Sequence, residues 1–400
     1  MISVDEALRI VMEKAHPTKG IEEVDLMSAR RRVLAEDITS DTDIAPFDKS
    51  AMDGYAVIAE LCPGQFDVIE EIPAGYVPTK KVVPGVVSKI MTGAPVPEGA
   101  DSVVMVEKTE ESKKGEKKVK ILTQVKKGEN IIRQGEDVKK GEVVLKKGTV
   151  LGPADISVCA TVGKKRVRVF NQMKVAILAT GTELVEPDEI PSFGKIRNSN
   201  SYSLFSQVQS AGAIPEYLGI ASDSEVDLSQ KIKEGLNYDL LLISGGVSVG
   251  DFDLVPHVLK DCGVKIEFHK VCIKPGKPTV FGLTDKTVIF GMPGNPVSTL
   301  VIFELFVRQA IYKMSGRNVN KEPFFSAILK EDFKRKKAER DQIIPVRLFF
   351  ENEVLKALPI EYHGSAHILA LSEANGLLRI PKDVFTLNKG DECQVRWLFH

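Results

Sequence analysis

Leu240-Leu241-Leu242-Ile243 runs directly into Ser244-Gly245-Gly246, and no other stretch limits the fold so tightly. Four consecutive apolar residues ended by a glycine pair read as a strand buried on both faces. Such a strand needs a layer of helices on each side, so it belongs to a parallel sheet. Ligands of such sheets sit beyond the carboxyl ends of the strands. The loop continues as Val247-Ser248-Val249-Gly250-Asp251-Phe252-Asp253. Gly245, Gly246 and Gly250 let the backbone approach a ligand and turn N–H groups toward it. Ser244 and Ser248 add hydroxyls, and Asp251 and Asp253 end the loop with two carboxylates suited to a hard cation or a water. A tight turn with solvated acids would leave the same pattern, so the loop has to be weighed with its neighbours.

Two further loops carry the same signature. Thr287-Val288-Ile289-Phe290 is a second buried-strand run, followed by Gly291-Met292-Pro293-Gly294-Asn295-Pro296-Val297-Ser298 and then a helix. Val175-Ala176-Ile177-Leu178-Ala179 is a third, followed by Thr180-Gly181-Thr182-Glu183-Leu184. Three glycine-bearing loops at three strand ends converge on one edge of one sheet. Between them lies Lys270-Val271-Cys272-Ile273-Lys274-Pro275-Gly276-Lys277-Pro278, whose prolines stiffen the segment and keep it from being helical. Lys270, Lys274 and Lys277 held in this way point to fixed positive charge aimed at an oxyanion or phosphate. Over residues 172–318 the expected order is strand 174–179, helix 200–212, strand 215–220, helix 225–236, strand 239–243, helix 254–261, strands 264–269 and 287–291, and helix 297–314. Alternation of this kind implies a doubly wound, mostly parallel α/β domain. Neither G-x-G-x-x-G nor G-x-x-x-x-G-K-[ST] occurs there, which argues against a nicotinamide cofactor and against an NTP in a P-loop.

A chain of 400 residues is too long for one core, so several domains are expected. A formal net charge of −1 argues against nucleic acid or a membrane surface as partner. No apolar run approaches the ~18 residues of a membrane span, and Ser3-Val4-Asp5-Glu6 reads as a capping box rather than a leader, so no signal peptide is expected. Five scattered cysteines without a C-x-x-C pair fit a reducing cytoplasm and give no structural zinc site.

Residues 3–15 have helical spacing, with Ala7, Ile10, Val11 and Met12 apolar, and a second helical patch is expected at 28–35. Both are too small to close a core. A partner is expected at 152–163, where Pro153 suits a first helical turn and Gly163 a C-cap. Together they predict a discontinuous helical domain of residues 1–44 and 145–171, interrupted by a β-rich insertion at 45–144. Lys-Lys-Gly recurs from Lys113, Lys126 and Lys139 within it and from Lys146 just past it, and glutamates beside the lysines mark solvated hairpin turns. Thr92-Gly93-Ala94-Pro95 and Gly135-Glu136-Asp137 place small polar or acidic groups beside glycines. Residues 319–400 hold short strand-like runs that predict a small C-terminal β-barrel or sandwich. His363 and His367, four apart with no third ligand at useful spacing, read as structural or surface residues.

These motifs together resemble the molybdopterin molybdenumtransferases, bacterial and archaeal relatives of the gephyrin E-domain. The resemblance runs through nearly the whole chain. It rests on Phe47-Asp48-Lys49-Ser50-Ala51-Met52-Asp53-Gly54-Tyr55, Thr92-Gly93-Ala94-Pro95, Gly135-Glu136-Asp137, Thr180-Gly181-Thr182-Glu183-Leu184, Ser244 to Gly250, Lys274-Pro275-Gly276-Lys277-Pro278 and Pro293-Gly294-Asn295-Pro296. It implies four domains and an elongated, cytoplasmic homodimer, with a site formed by the α/β domain of one subunit facing the insertion of the other. The implied reaction inserts molybdate into adenylylated molybdopterin and releases AMP. Carried over to this chain, the implied catalytic residues are Asp53, Thr92, Asp137, Glu183, Asp223, Asp253, Lys270, Lys274 and Ser365. Substrate would be held by Gly181, Ser244, Gly245, Gly246, Ser248, Gly250, Lys277, Pro293, Gly294, Asn295, Pro296 and Ser298, and Mg2+ by Glu183, Asp223, Asp251 and Asp253. Thr182 stands where relatives often carry an acid and receives no metal role. The dithiolene of the substrate would supply the sulfur ligands of the metal. A transient contact with the molybdopterin adenylyltransferase is implied too. Tungstate-specific insertion, adenylyl transfer and a non-enzymatic scaffold are the alternatives weighed.

Overall fold

The computed structural model describes residues 1–17, 20–112, 117–247, 254–318 and 324–398. The predicted α/β layer is present as a six-stranded sheet. Its strands are β1 (Lys174–Thr180), β2 (Ile214–Ala221), β3 (Leu240–Ser244), β4 (Lys265–Phe268), β5 (Val280–Leu283) and β6 (Val288–Met292). They lie in the order β2-β1-β3-β6-β5-β4. The pairs β2/β1, β1/β3 and β3/β6 are parallel, while β6/β5 and β5/β4 are antiparallel. Alternate residues serve opposite faces, as the period of a strand demands. Val175, Ile177, Leu240, Leu242, Val288 and Phe290 pack against the helices Asn200–Ser210 and Pro296–Ile302. Ala176, Leu178, Leu241, Ile243 and Ile289 pack against Glu225–Gly235 and Val255–Asp261.

Strand β5 is the one the sequence reading lacks. Its apolar run follows two prolines and is broken by Gly282, which sits where a Cβ would come within 2.7 Å of Val264 Cγ1. Read locally, those features suggest a loop; the strand exists because β4 and β6 supply its partners.

The first helix, Val4–Lys14, begins as predicted, with the Ser3 hydroxyl accepting from the Glu6 N–H at 3.1 Å. Its partner is not the one expected. Val4, Ala7 and Val11 join the core of the α/β layer rather than that around Pro153–Thr161. The backbone of Ile2 bonds Lys270 and Cys272, which ties this end of the chain to the α/β layer. Nor is 28–35 a helix. Leu26–Ser28 forms a single 3-10 turn, Arg31 has φ 64°, and the backbone bonds of Arg31, Leu34 and Leu151 run between 31–34 and 149–151. Long-range pairing replaces the local ladder. Residues from 26–38 and 151–169 nevertheless share a core, closed by the antiparallel pairs Ile21–Asp25 with Arg166–Phe170 and Ile38–Thr39 with Val143–Leu145.

Between those halves lies a mixed six-stranded sheet that includes Gly54–Val57, Gly64–Ile72 and Val86–Ile90. Gly54 has to be glycine: a Cβ there would lie 1.9 Å from the Val104 carbonyl oxygen of the neighbouring strand. At the other end of the chain, Phe325–Leu329, Asp341–Glu351, Val354–Pro359, Gly376–Ile380 and Glu392–Trp397 close into a five-stranded barrel. The barrel is joined to the α/β layer by Ile273–Lys274, which pairs in parallel with Asp341 and Gln342. Among the described residues no helix is long and apolar enough to cross a membrane.

Candidate functional site

The carboxyl ends of β1, β3 and β6 open onto a cleft of about 850 Å³. The loop after β1 contributes Gly181 and Glu183, that after β3 Ser244, Gly245 and Gly246, and that after β6 Pro293, Gly294, Asn295 and Pro296. Asp223, two residues past β2, completes the set. Ten of the residues expected from the sequence are thus brought to one cavity. The close packing of the loops depends on Gly245. It has φ 100°, and a Cβ there would lie 2.4 Å from the Thr180 carbonyl oxygen.

Both acids are exposed. Asp223 Oδ2 accepts from the Thr182 N–H and hydroxyl, each at 3.0 Å, which leaves Oδ1 without a partner among the described residues. Thr182, given no metal role by the sequence, therefore fixes the orientation of the acid. The Thr180 hydroxyl is buried in the cleft wall and has no hydrogen-bond partner among the described residues.

Asn200 was not anticipated. Its Nδ2 donates to Ser244 Oγ at 2.8 Å and to the Gly294 carbonyl at 2.7 Å, so one amide clasps the β3 and β6 loops. The signal available was the polar run Arg197-Asn198-Ser199-Asn200 at the start of a helix. From the barrel side, Ser365 meets the cleft: Asn295 Nδ2 donates to Ser365 Oγ at 3.0 Å, and Ala366 lines the wall. His363 and His367 flank that serine with their rings stacked at 5.0 Å.

Other expected residues stand elsewhere. Ser298 is buried in its helix, at 3% exposure, and does not reach the cleft. Lys270, Lys274 and Lys277 do not line it; Lys277 adjoins Pro278, which does, and Lys274 is held against the barrel by the pairing with Gln342. Among the described residues none of the three lysines has an acidic partner. Asp53, Thr92 and Asp137 lie exposed on the inserted unit and do not line this cleft. Asp53 Oδ1 accepts from the Thr92 N–H at 2.7 Å and from its hydroxyl at 2.8 Å. Those bonds, the backbone one foremost, hold the Asp53 carboxyl below the usual carboxylate range. Ser248, Gly250, Asp251 and Asp253 fall outside the described residues.

Comparison with known proteins covers the chain almost end to end. Residues 2–163 match a family described as the MoeA N-terminal region (domains I and II). Residues 176–313 match a probable molybdopterin binding domain, and 326–398 the MoeA C-terminal region (domain IV). A molybdopterin molybdenumtransferase from Bacillus subtilis is 37% identical over 98% of this chain and 93% of its own length. One from a Nostoc species is 34% identical over 99% of this chain and 93% of its own. Among solved structures, the molybdopterin biosynthesis MoeA protein of Pyrococcus horikoshii OT3 superposes with a TM-score of 0.84 at 35% identity, covering 100% of both chains.

Proposed function

Since the chain belongs to the molybdopterin molybdenumtransferase family, a family of transferases of molybdenum cofactor biosynthesis, we propose that it inserts molybdate into adenylylated molybdopterin and releases AMP. One observation carries the reading. A single cleft combines two exposed carboxylates, glycine-bearing loops at three strand ends, a buried unpartnered hydroxyl, and, at its edge, a serine contributed by a separate barrel. That combination suits a phosphorylated substrate that has to be bound through oxygen and opened at a phosphoanhydride.

In this reading the N–H group of Gly246 and the buried Thr180 hydroxyl hold the substrate, while the Gly245 N–H, donated to the Met292 carbonyl at 3.0 Å, fixes the loop. Asn200 keeps the two loops in register for it. Lys270, Lys274 and Lys277 supply positive charge for the molybdate dianion at the barrel side, with Ser365 positioned by Asn295. Glu183 and the free oxygen of Asp223 are hard oxygen donors without protein partners among the described residues. They fit Mg2+, which takes one or two carboxylates and completes its shell with water and phosphate. When bound, the ion would neutralise phosphate oxygens and ease departure of AMP. Asp251 and Asp253 would extend the same donor set. We assign the active protein to a cytoplasmic homodimer in which Asp53, Thr92 and Asp137 face the cleft of the other subunit. Their exposure and their absence from the lining of the cleft of their own chain support this arrangement.

The test is AMP release from adenylylated molybdopterin by the purified chain with Mg2+, with and without molybdate. Release that depends on molybdate is expected. Release at the same rate without any oxyanion, or none under any condition, would refute the proposal.

A further inference from the structure

Building on the reading that the cleft receives an adenylylated substrate, we propose that Arg197 grips the nucleotide phosphate. Among the described residues that line the cleft, Arg197 is the sole cation, and it shares the lining with the acids Glu183 and Asp223. It belongs to a short ribbon, Ile196–Arg197 paired in parallel with Leu184–Val185, in which Val185 is its register partner.

This ribbon is anchored. The Ile196 N–H donates to the Glu183 carbonyl at 2.9 Å, and Lys195 Nζ donates to the Thr182 carbonyl. The Glu186 carboxylate accepts from the Tyr217 hydroxyl at 2.6 Å and the Tyr202 hydroxyl at 3.1 Å. On this base the guanidinium is tethered by one nitrogen: Nε donates to the Glu189 carbonyl at 3.0 Å. Nη1 and Nη2 have no protein partner among the described residues, and no carboxylate among those residues pairs with the charge.

An arginine on an open surface is ordinarily solvated, with nothing to orient it. Here the Nε bond fixes the plane of the head group before any ligand arrives and leaves donors free. A planar fork of this kind matches two oxygens of one phosphate, which an ammonium does not. Its position also differs from that of the lysines. Lys270, Lys274 and Lys277 lie outside the cleft lining, Lys274 against the barrel, whereas Arg197 stands on the ribbon beside Glu183. The anionic groups of the substrate are thereby divided, molybdate toward the lysines and the nucleotide phosphate toward Arg197.

Isothermal titration of the full chain in Mg2+ buffer, with AMP and unphosphorylated adenosine as probes, tests the assignment. Arg197→Ala is expected to weaken AMP roughly ten- to hundredfold while leaving adenosine unchanged. Arg197→Lys, which keeps the charge but loses the fork, is expected to fall between Arg197→Ala and wild type. AMP bound by Arg197→Ala as tightly as by wild type would overturn the role of Arg197 and leave the proposed function standing. Equal losses for AMP and adenosine would overturn it too, since they would make Arg197 a prop for the ribbon. Wild type that binds no AMP would instead overturn the functional reading on which the assignment rests.

Discussion

Asp53 shows how one neighbour can set the charge of an acid at the surface. Thr92 supplies both donors to a single oxygen, so the ionised form is favoured although the group is open to solvent. The folded pKa lies below the unfolded one. The favourable contribution is therefore complete above the unfolded carboxyl value, about 3.9, and is lost as pH falls through the lower folded value. Carbon-detected NMR titration of Asp53 is expected to show a midpoint below the ordinary range, moving up in Thr92→Val, which keeps the N–H but removes the hydroxyl. An unchanged midpoint in the variant would show the hydroxyl to be idle. A second expectation concerns Lys274 and Lys277, cations without acidic partners among the described residues. Replacing either by alanine should weaken molybdate binding by about 1.5–3 kcal/mol, the worth of a charge-assisted contact, and equilibrium dialysis against molybdate would read it. The glycines and acids of the three loops are legible in the sequence because each follows an apolar run that announces a strand end. Asn200 and Arg197 are not, because an amide or a guanidinium next to a helix start carries no local mark of what lies across the fold from it.

The long helical stretch after β6 contains one turn wider than the rest, the π-helical Phe303–Val307, and within it Glu304 is almost fully buried. Arg308 donates to both of its oxygens at 2.7 Å, Gln207 Nε2 donates to one at 3.0 Å, and Arg396 of the barrel stands 3.7 Å away. One carboxylate thus ties the helix carrying Asn200, the post-β6 helix and the barrel together. Glu304→Gln leaves two buried guanidinium groups facing a neutral amide and should cost about 3–5 kcal/mol. A fall in the urea midpoint measures it, and a loss below about 1 kcal/mol would show that the arginines find other acceptors. At this scale, periodicity was informative wherever an element is covered on fixed faces. Strands β1, β3 and β6 and the apolar face of Val4–Lys14 were foreseen for that reason. What periodicity lacks is the identity of the covering surface. The first helix was therefore given the wrong partner, and 28–35 was read as helix although its backbone bonds cross to residues more than a hundred positions away.

For the molecule as a whole, the absence of Asp53 from the lining of its own chain's cleft leads to a test by mixing. Asp53→Asn and Glu183→Gln homodimers are each expected to be inactive while remaining folded. After subunit exchange, a heterodimer has one cleft with both lesions and one with neither, so activity should return to roughly half of wild type per heterodimer. A mixture that stays inactive after confirmed exchange would place the complete site within one chain. The seat of the first helix also has a consequence for the order of assembly. Val4, Ala7 and Val11 share a core with Val297, Val301 and Ile311. At the ~5–20 residues per second of synthesis, the roughly 300 residues between them take about 15–60 s to emerge. Throughout that interval the ribosome carries an amphipathic helix with nowhere to dock. A segment made early is seated among residues made much later, and its apolar stripe is what a nascent-chain chaperone would meet.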